Sequence, residues 1–150
     1  MNSTAWRVEL ELESSRFDPL GAAAVAALAA RGLPLNDTIR VGRGFLLPGS
    51  LERAQVEVMV STLLADPVNE TARIVAPGAV EADGGKSLLI RRMAGVSDPE
   101  AHSTARALQL LNIALPEGAH IETYRSYRCL GAIDSALLLE VGARALGKPT

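Results

Sequence analysis

The sequence is poor in features that cross-link a chain or anchor it. It contains one cysteine, Cys129, which excludes an internal disulfide and gives no metal-ligand spacing. Such cysteine usage favours a reducing, cytoplasmic compartment. The longest apolar run, Ala22–Ala30, is far shorter than the roughly 20 residues that span a bilayer, and the polar first residues show no signal peptide. We therefore expect no membrane association.

An excess of charge of either sign is also lacking. The chain has 15 lysines and arginines against 17 aspartates and glutamates, a formal net charge of −2. This balance argues against a protein that binds nucleic acid through bulk charge. What the sequence does have is apolar content: 48% of its 150 residues are hydrophobic, enough for the core of one ordinary domain or of two very small ones.

No catalytic or cofactor motif is complete. The run GGKS at 84–87 resembles the end of a phosphate-binding loop, but the glycine required earlier in that motif is Val80, and a predicted strand follows where a helix is needed. His102 and His120 have no identifiable nucleophile partner. Cys129 lies in an apolar alternation typical of a core residue. We therefore expect no catalytic residue and no metal or cofactor site of the chain's own.

The first elements are indicated by periodicity and by capping residues. Period-two alternation over 6–13 predicts a strand with one face in water. Asp18 then stands where a helix N-cap is expected, and Pro19 occupies the first helical position, where its missing N–H is not needed. Gly32 is placed to end this helix in the left-handed region.

The signals that follow complete a known supersecondary order. Short apolar runs on either side of the Gly-Arg-Gly at 42–44 predict a hairpin. Ser50 is placed to cap a second helix, and residues 71–75 read as a fourth strand. The resulting order, β-α-β-β-α-β, is that of a ferredoxin-like unit.

The same order of signals then repeats. Asp98-Pro99 repeats the first Asp-Pro pair at an offset of 80 positions, and Arg125 repeats Arg43 at an offset of 82. A single insertion of two residues accounts for the difference. The pattern predicts that one module was duplicated, with Asp98 and Pro99 opening the corresponding helix of the second copy.

The repeat divides the chain into a unit at 1–76, a linker at 77–86 and a unit at 87–150. The second unit has no counterpart of the last strand of the first. We therefore expect an α+β protein made of two tandem ferredoxin-like β-α-β-β-α-β units, each with its helices on one face of its own sheet. The two sheets would pack as a pseudo-dimer. The vacant strand position would be open to another chain, to a second copy or to a continuation of this one.

Two clusters of basic and aromatic residues are candidates for partner binding. Arginine suits planar, bidentate contacts with carboxylates, and arginine with tyrosine is enriched at protein interfaces. A solvated strand face is the alternative. The candidate partner-binding residues are Arg40, Gly42, Arg43, Tyr124, Arg125, Tyr127 and Arg128.

The run from Asp18 to Glu70 resembles PurS, the small subunit of phosphoribosylformylglycinamidine synthase, an amidotransferase of purine biosynthesis. The resemblance lies in Asp-Pro-Leu-Gly opening a helix, in Arg-Val-Gly-Arg, and in the closing Leu-Leu-Ala-Asp-Pro-Val-Asn-Glu. The second unit keeps Gly95, the second Asp-Pro and the Tyr-Arg-Ser-Tyr-Arg segment at 124–128. It is similar to the N-terminal region of the long single-chain form of the enzyme, where two PurS-like units are fused.

The resemblance implies an assembly function. In that family the synthetase subunit uses ATP and Mg, the glutaminase subunit releases ammonia from glutamine, and PurS-like units bridge the two and help ammonia pass between them. It implies for this chain a bridging role in an ATP-dependent amidotransferase ligase complex, with no catalytic residue or cofactor of its own. Its partners would be the synthetase and glutaminase subunits, with self-association left open.

Two other functions remain open from the sequence. Tandem ferredoxin-like units of the ACT type bind amino acids or nucleotides between them, and a glycine-rich loop after each first strand would favour that class. Gly95 is such a residue in the second unit, but Ser14 and Ser15 stand in the first. A stand-alone enzyme that uses His102 or Cys129 is the third option.

Overall fold

In the described parts of the chain, five strands form one antiparallel sheet, and four helices cover one of its faces. The computed structural model describes residues 4–13, 16–35, 38–79, 86–91, 97–129 and 135–146. In chain order the elements are β1 (Trp6–Leu12), α1 (Pro19–Ala30), β2 (Ile39–Leu47), α2 (Arg53–Met59) with a π-helical turn (Val60–Leu64), β3 (Glu70–Val75), β4 (Lys86–Arg91), α3 (Pro99–Leu110), β5 (Glu122–Cys129) and α4 (Ser135–Leu146). The protein is therefore α+β, and the arrangement is compatible with a ferredoxin-like fold.

The strand order is β3-β1-β2-β5-β4, and every neighbouring pair is antiparallel. Strands from the first and second halves of the sequence therefore meet edge to edge at β2 and β5. The sequence predicted two sheets packed together, and one continuous sheet is found instead. Eight residue pairs between β2 and β5, from Ile39 opposite Cys129 to Leu46 opposite Glu122, make this the longest ladder among the described strands.

The predicted hairpin around Gly42-Arg43-Gly44 is wrong, and so is its counterpart in the second half. β2 and β5 are each one uninterrupted strand. The physical reason is that β2 lies in the centre of the sheet, with β1 on one side and β5 on the other. A turn at these glycines would remove backbone hydrogen bonds on both sides. The first half thus has the order β-α-β-α-β and the second half β-α-β-α, and neither contains the predicted β-β hairpin.

The helix starts follow the sequence signals with one exception. Asp18 and Asp98 are the N-caps of α1 and α3, each followed by proline in the first turn. Gly32 follows α1 with a φ of 86°, as expected for a helix C-terminus. Ser50 does not cap α2: the N-cap is Glu52, whose backbone N–H donates to the Gln55 side chain.

Both cap aspartates also bind a strand. Oδ1 of Asp18 accepts from Gly21 N at 3.0 Å and Oδ2 accepts from Val41 N at 2.9 Å. In α3, Oδ1 of Asp98 accepts from the N–H of Ala101, the third helical residue, at 3.1 Å, and Oδ2 accepts from Thr123 N at 2.8 Å. Each carboxylate therefore fastens a helix start to the inner strand of its half of the sheet, β2 or β5.

The strand registers also follow the sequence repeat. Val8 lies opposite Phe45 between β1 and β2, and Leu88 lies opposite Tyr127 between β4 and β5. Leu88 is 80 positions after Val8, and Tyr127 is 82 positions after Phe45. These are the two offsets that separate the repeated sequence signals, so equivalent residues of the two halves face equivalent neighbours.

Two apolar clusters lie between the sheet and the helices, and each contains residues from both halves of the sequence. In the first, α2 and α3 cover β1 and the end of β2; its largest buried members include Phe45, Met59 and Leu108. In the second, α1 and α4 cover β4, β5 and the start of β2, with Leu28 and Leu138 buried. Because neither cluster belongs to one half, each half depends on the other for part of its core.

Among the described residues, no helix combines the length and the apolar character that a membrane crossing demands.

Candidate functional site

The face of the sheet that carries no helix holds a polar network at its centre. Strand alternation places every second side chain on this face. The contributing residues from β1, β2, β3 and β5 are Arg7, Glu9, Glu11, Arg40, Gly42, Gly44, Arg73, Tyr124, Ser126 and Arg128. We call this set the open-face network.

Glu9 is the centre of the open-face network. Its side chain is completely buried, and Oε1 accepts from Arg73 Nη2 at 3.0 Å and from Ser126 Oγ at 2.9 Å. Oε2 lies 3.8 Å from Arg7 Nη2 and accepts no hydrogen bond from a described residue. A carboxylate so far from water is stable only when cations and donors surround it, so these four side chains form one interdependent group.

The sequence predicted that this side of β1 faces water, which is wrong at Glu9. Gly44 lies between Glu9 and Tyr124 in the sheet, and a Cβ at Gly44 would approach the Tyr124 ring to 2.1 Å. The missing side chain lets the tyrosine ring lie across β2 towards Glu9. Ser126, two residues further along β5, likewise reaches Glu9 across β2. The glycines thus make room for the network, a use that local sequence signals do not reveal.

A second ion pair joins β5 to β1 across the same strand, β2. Arg128 donates from Nε and Nη2 to both carboxylate oxygens of Glu11, at 2.9 and 2.6 Å. A Cβ at Gly42 would lie 2.8 Å from the Leu10 carbonyl oxygen and 3.1 Å from the Glu11 side chain. Two of the predicted partner-binding residues, Gly42 and Arg128, therefore have internal structural contacts that join the two halves of the sheet.

Arg40, another predicted partner-binding residue, is also engaged internally. Its guanidinium donates to the carbonyl oxygens of Leu12 at 2.7 Å, Glu13 at 3.1 Å and Arg16 at 3.1 Å. These contacts satisfy the backbone where the chain leaves β1 for α1. Arg40 thus organises this connection.

Arg43 lies on the helix-covered face, and its guanidinium donates hydrogen bonds to three residues. Its Nε and Nη2 donate to the two carboxylate oxygens of Glu70 at 3.2 and 2.9 Å, Nη1 donates to Glu100 at 3.1 Å, and Nη2 donates to the Leu64 carbonyl oxygen at 2.9 Å. The hydrogen bond to Glu70 is the main reason that the pKa of Arg43 is raised. Partial burial opposes ionisation of Glu70, but hydrogen bonds from Arg43 and the Asp66 N–H outweigh it, so the pKa of Glu70 is lowered.

The lowered pKa of Glu70 predicts a pH-dependent contribution to stability. A carboxyl whose pKa is lower in the folded state stabilises the fold above its unfolded pKa, and this contribution is lost as pH falls through the folded pKa. We expect Glu70→Gln to lower the free energy of unfolding by about 1 kcal/mol at neutral pH, since the pair is partly exposed. The difference should shrink as pH falls below the ordinary glutamate pKa of about 4.3, and it should disappear once Glu70 is protonated in the folded state.

Urea unfolding of both proteins at several pH values measures this difference. Glu57→Gln is the matched control, because Glu57 forms an exposed pair with Arg53 at 3.1 Å and should contribute only about 0.3–0.5 kcal/mol. A wild-type advantage that grows towards acid pH would contradict the assignment.

The remaining predicted site residues divide into buried and exposed ones. Tyr124 and Tyr127 are each 6% exposed, so neither ring presents a surface to a partner. Arg125 is exposed, and no described residue forms a hydrogen bond or an ion pair with it. Arg125 lies on the helix-covered side, directly opposite Arg43 in the β2–β5 ladder.

The residues considered for an enzymatic role do not come together. His102 is exposed on α3, and His120 is exposed in the segment before β5. Cys129 is buried at the end of β5, and its burial raises the pKa of the thiol, which keeps it protonated and poorly nucleophilic. Of the run at 84–87, the structure describes only Lys86 and Ser87, which begin β4.

In the described segments, no group of three or more histidine, cysteine, aspartate or glutamate residues is arranged to hold a metal ion. The chain matches no protein-family model, no curated protein and no solved structure. The interpretation of the site therefore depends on its own geometry.

Proposed function

We propose that the chain is a fused pseudo-dimer of two duplicated modules, each built on a β-α-β-α core. The observation that supports this is the β2–β5 ladder. Arg43 and Arg125 are equivalent by the 82-residue offset, and they lie directly opposite each other. In a two-fold symmetric interface, a residue on the axis faces its own equivalent. A pseudo-two-fold axis at this pair brings the two halves into register along the whole ladder.

The fused arrangement has a functional consequence. Pairing between two copies within one chain does not depend on protein concentration, so the central ladder persists at low abundance. The two halves are also free to diverge. In β4 and β5, Leu89 and Ser126 occupy the places of Glu9 and Gly44, so the open-face network has no symmetric counterpart. A duplicated module with unlike halves is suited to hold two different partners.

We further propose that this module is a non-catalytic, cytoplasmic bridging subunit of phosphoribosylformylglycinamidine synthase. It would link the synthetase, which uses ATP and Mg, to the glutaminase and aid ammonia transfer. The PurS-like residues between Asp18 and Glu70 support the assignment, and the fused pseudo-dimer is the arrangement expected of two joined PurS-like units. The exposed Arg125 is the predicted contact residue that no described side chain engages.

Reconstitution tests the bridging role directly. The synthetase and glutaminase subunits from the same source are mixed with and without this chain, and amidine formation is measured once with glutamine and once with ammonia. We expect the glutamine-dependent rate to require the chain and the ammonia-dependent rate to be unchanged. An arginine double variant is a poorer first test, because Arg40 and Arg43 both hold backbone carbonyl oxygens and their loss would mix docking with folding.

Two results would contradict the proposal. If neither rate responds to the chain, the likeness to PurS concerns sequence pattern alone. If the ammonia-dependent rate rises as well, the chain acts on the synthetase chemistry and not on ammonia delivery. A thermal-shift series with amino acids and purine nucleotides then examines the ACT-type alternative.

A further inference from the structure

β4 is an edge strand with few of the usual protections. In the described parts of the chain, no strand pairs with its outer side. Free edges are normally guarded by proline, by charged side chains, by bulges or by a short strand length. β4 has charges at its two ends, Lys86 and Arg91, but the run from Ser87 to Ile90 between them contains no proline and no charge. In the other half of the sheet, β1 holds the equivalent place, and its outer side pairs with β3.

In the first half, the outer strand β3 supplies a carboxylate for Arg43. Glu70, the first residue of β3, binds the guanidinium of Arg43 through both carboxylate oxygens across β1. Arg125 is the equivalent of Arg43, and Ile90 lies beside it as Leu10 lies beside Arg43. Arg125 is exposed and has no carboxylate partner among the described residues. Among the described residues, the second half thus has both an unpaired strand edge and an arginine without a carboxylate partner, in the places that β3 fills in the first.

We propose that the outer edge of β4 is a docking site for an extended segment of a partner protein. The segment adds to the sheet as an antiparallel strand and places a carboxylate on Arg125. Strand addition of this kind gets its affinity from main-chain hydrogen bonds and its specificity from alternate side chains. The inference depends on the duplication proposed above but not on the identity of the complex.

The side chains around β4 indicate which residue types the docked segment has at each position. On the open face, Arg73 of β3 lies opposite Glu9, whereas the equivalent of Glu9 in β4 is Leu89. The docked strand therefore has an apolar residue where β3 has arginine. It begins with an acidic residue at the place of Glu70, and it ends with apolar residues beside Leu88.

The same comparison argues against a second copy as the occupant. A second copy has two edge strands among those described, β4 and β3. Its β4 contains no carboxylate for Arg125, and the Glu70 of its β3 is already bound to Arg43. Its β3 would also place Arg73 against Leu89, which leaves a cation beside an apolar side chain. A different protein with a free acidic segment fits both positions better.

Synthetic peptides test the proposal on the complete chain. The probe is a fluorescent peptide of residues 66–76 with Arg73→Leu, which has the acidic start and the apolar centre. We expect it to bind with 1:1 stoichiometry in an anisotropy titration, and Arg125→Gln to weaken binding about tenfold through loss of the charged hydrogen bonds. Arg106→Gln, on an exposed position of α3, is the matched control and should leave binding unchanged.

A charge reversal separates a specific contact from general attraction. Arg125→Glu should abolish binding of the probe, and a peptide that also carries Glu70→Arg should restore it. The proposal is wrong if the peptide does not bind up to its solubility limit, or if substitution of Arg125 does not change the binding affinity. If sedimentation shows that the chain is a dimer and that Leu89→Lys dissociates this dimer, the outer edge of β4 binds a second copy instead. The assay uses this chain alone, so its failure is distinguishable from failure of the reconstitution.

Discussion

Replacement of Glu9 by alanine is expected to lower the free energy of unfolding by about 3–5 kcal/mol, the range found when one partner of a buried ion pair is removed. The carboxylate is completely buried and is bound by Arg73 and Ser126, with Arg7 nearby. Without it, the Arg7 side chain, which is only 10% exposed, keeps its charge in a site with little water. The two halves of the sheet also lose the contact between β1 and β5.

Urea unfolding at neutral pH measures this loss, and two further variants make the result specific. Glu9→Gln keeps an acceptor for Ser126 but removes the charge, so it should fall between the wild type and Glu9→Ala. Thr71→Ala changes an exposed residue of β3 on the same face and should stay within about 0.5 kcal/mol. A loss below about 1 kcal/mol for Glu9→Ala would show that the carboxylate does not hold the arginines in place.

The second large effect is expected for Asp18→Ala. Loss of a helix cap alone costs about 0.5–2 kcal/mol. Here the same carboxylate also accepts from Val41 N at 2.9 Å, at the point where the β1–β2 register ends with Glu11 opposite Gly42. An unsatisfied buried donor costs a further 1–3 kcal/mol or so. We therefore expect a total loss of about 2–4 kcal/mol from these two terms.

Variants at the same residue and at its counterpart test this dual role. Asp18→Asn leaves one oxygen acceptor for two N–H donors, so it should lose roughly half as much as Asp18→Ala. Asp98→Ala removes the equivalent contacts with Thr123 and the start of α3. Its loss should be smaller because these contacts are only partly buried and water can replace them. If Asp18→Ala loses no more than an isolated helix cap, the strand contact contributes nothing to stability.

The parts of the fold that were predictable are those with local causes. The Asp-Pro signals predicted the starts of α1 and α3 because a cap acts within one turn of helix. Hydrophobic alternation predicted β1 for the same reason. The repeat offsets were also readable, since they compare the chain only with itself, and the strand registers agree with them.

The misinterpreted hairpin depends on distant neighbours, unlike the cap of α2, where the local signal at Ser50 was itself misread. A Gly-Arg-Gly segment is a good hairpin signal in isolation, but β2 has a strand on each side, and continuous pairing prevails over the turn. Of the predicted partner-binding residues, Arg40, Arg128 and Gly42 have internal contacts that the sequence did not reveal. Nothing in the local sequence distinguishes an arginine that binds a partner from one that binds its own backbone.

The amino-acid sequence by itself determined the helix starts, the strand alternation and the two-part repeat, because each is specified by residues within a few positions or by comparison of the chain with itself. Only the tertiary structure decided that β2 and β5 join the halves into one sheet and that Glu9 is buried. It also decided that Arg43 has a carboxylate partner while Arg125 has none among the described residues. These features depend on which strands become neighbours, and strand pairing across a sheet is settled by the packing of the whole molecule.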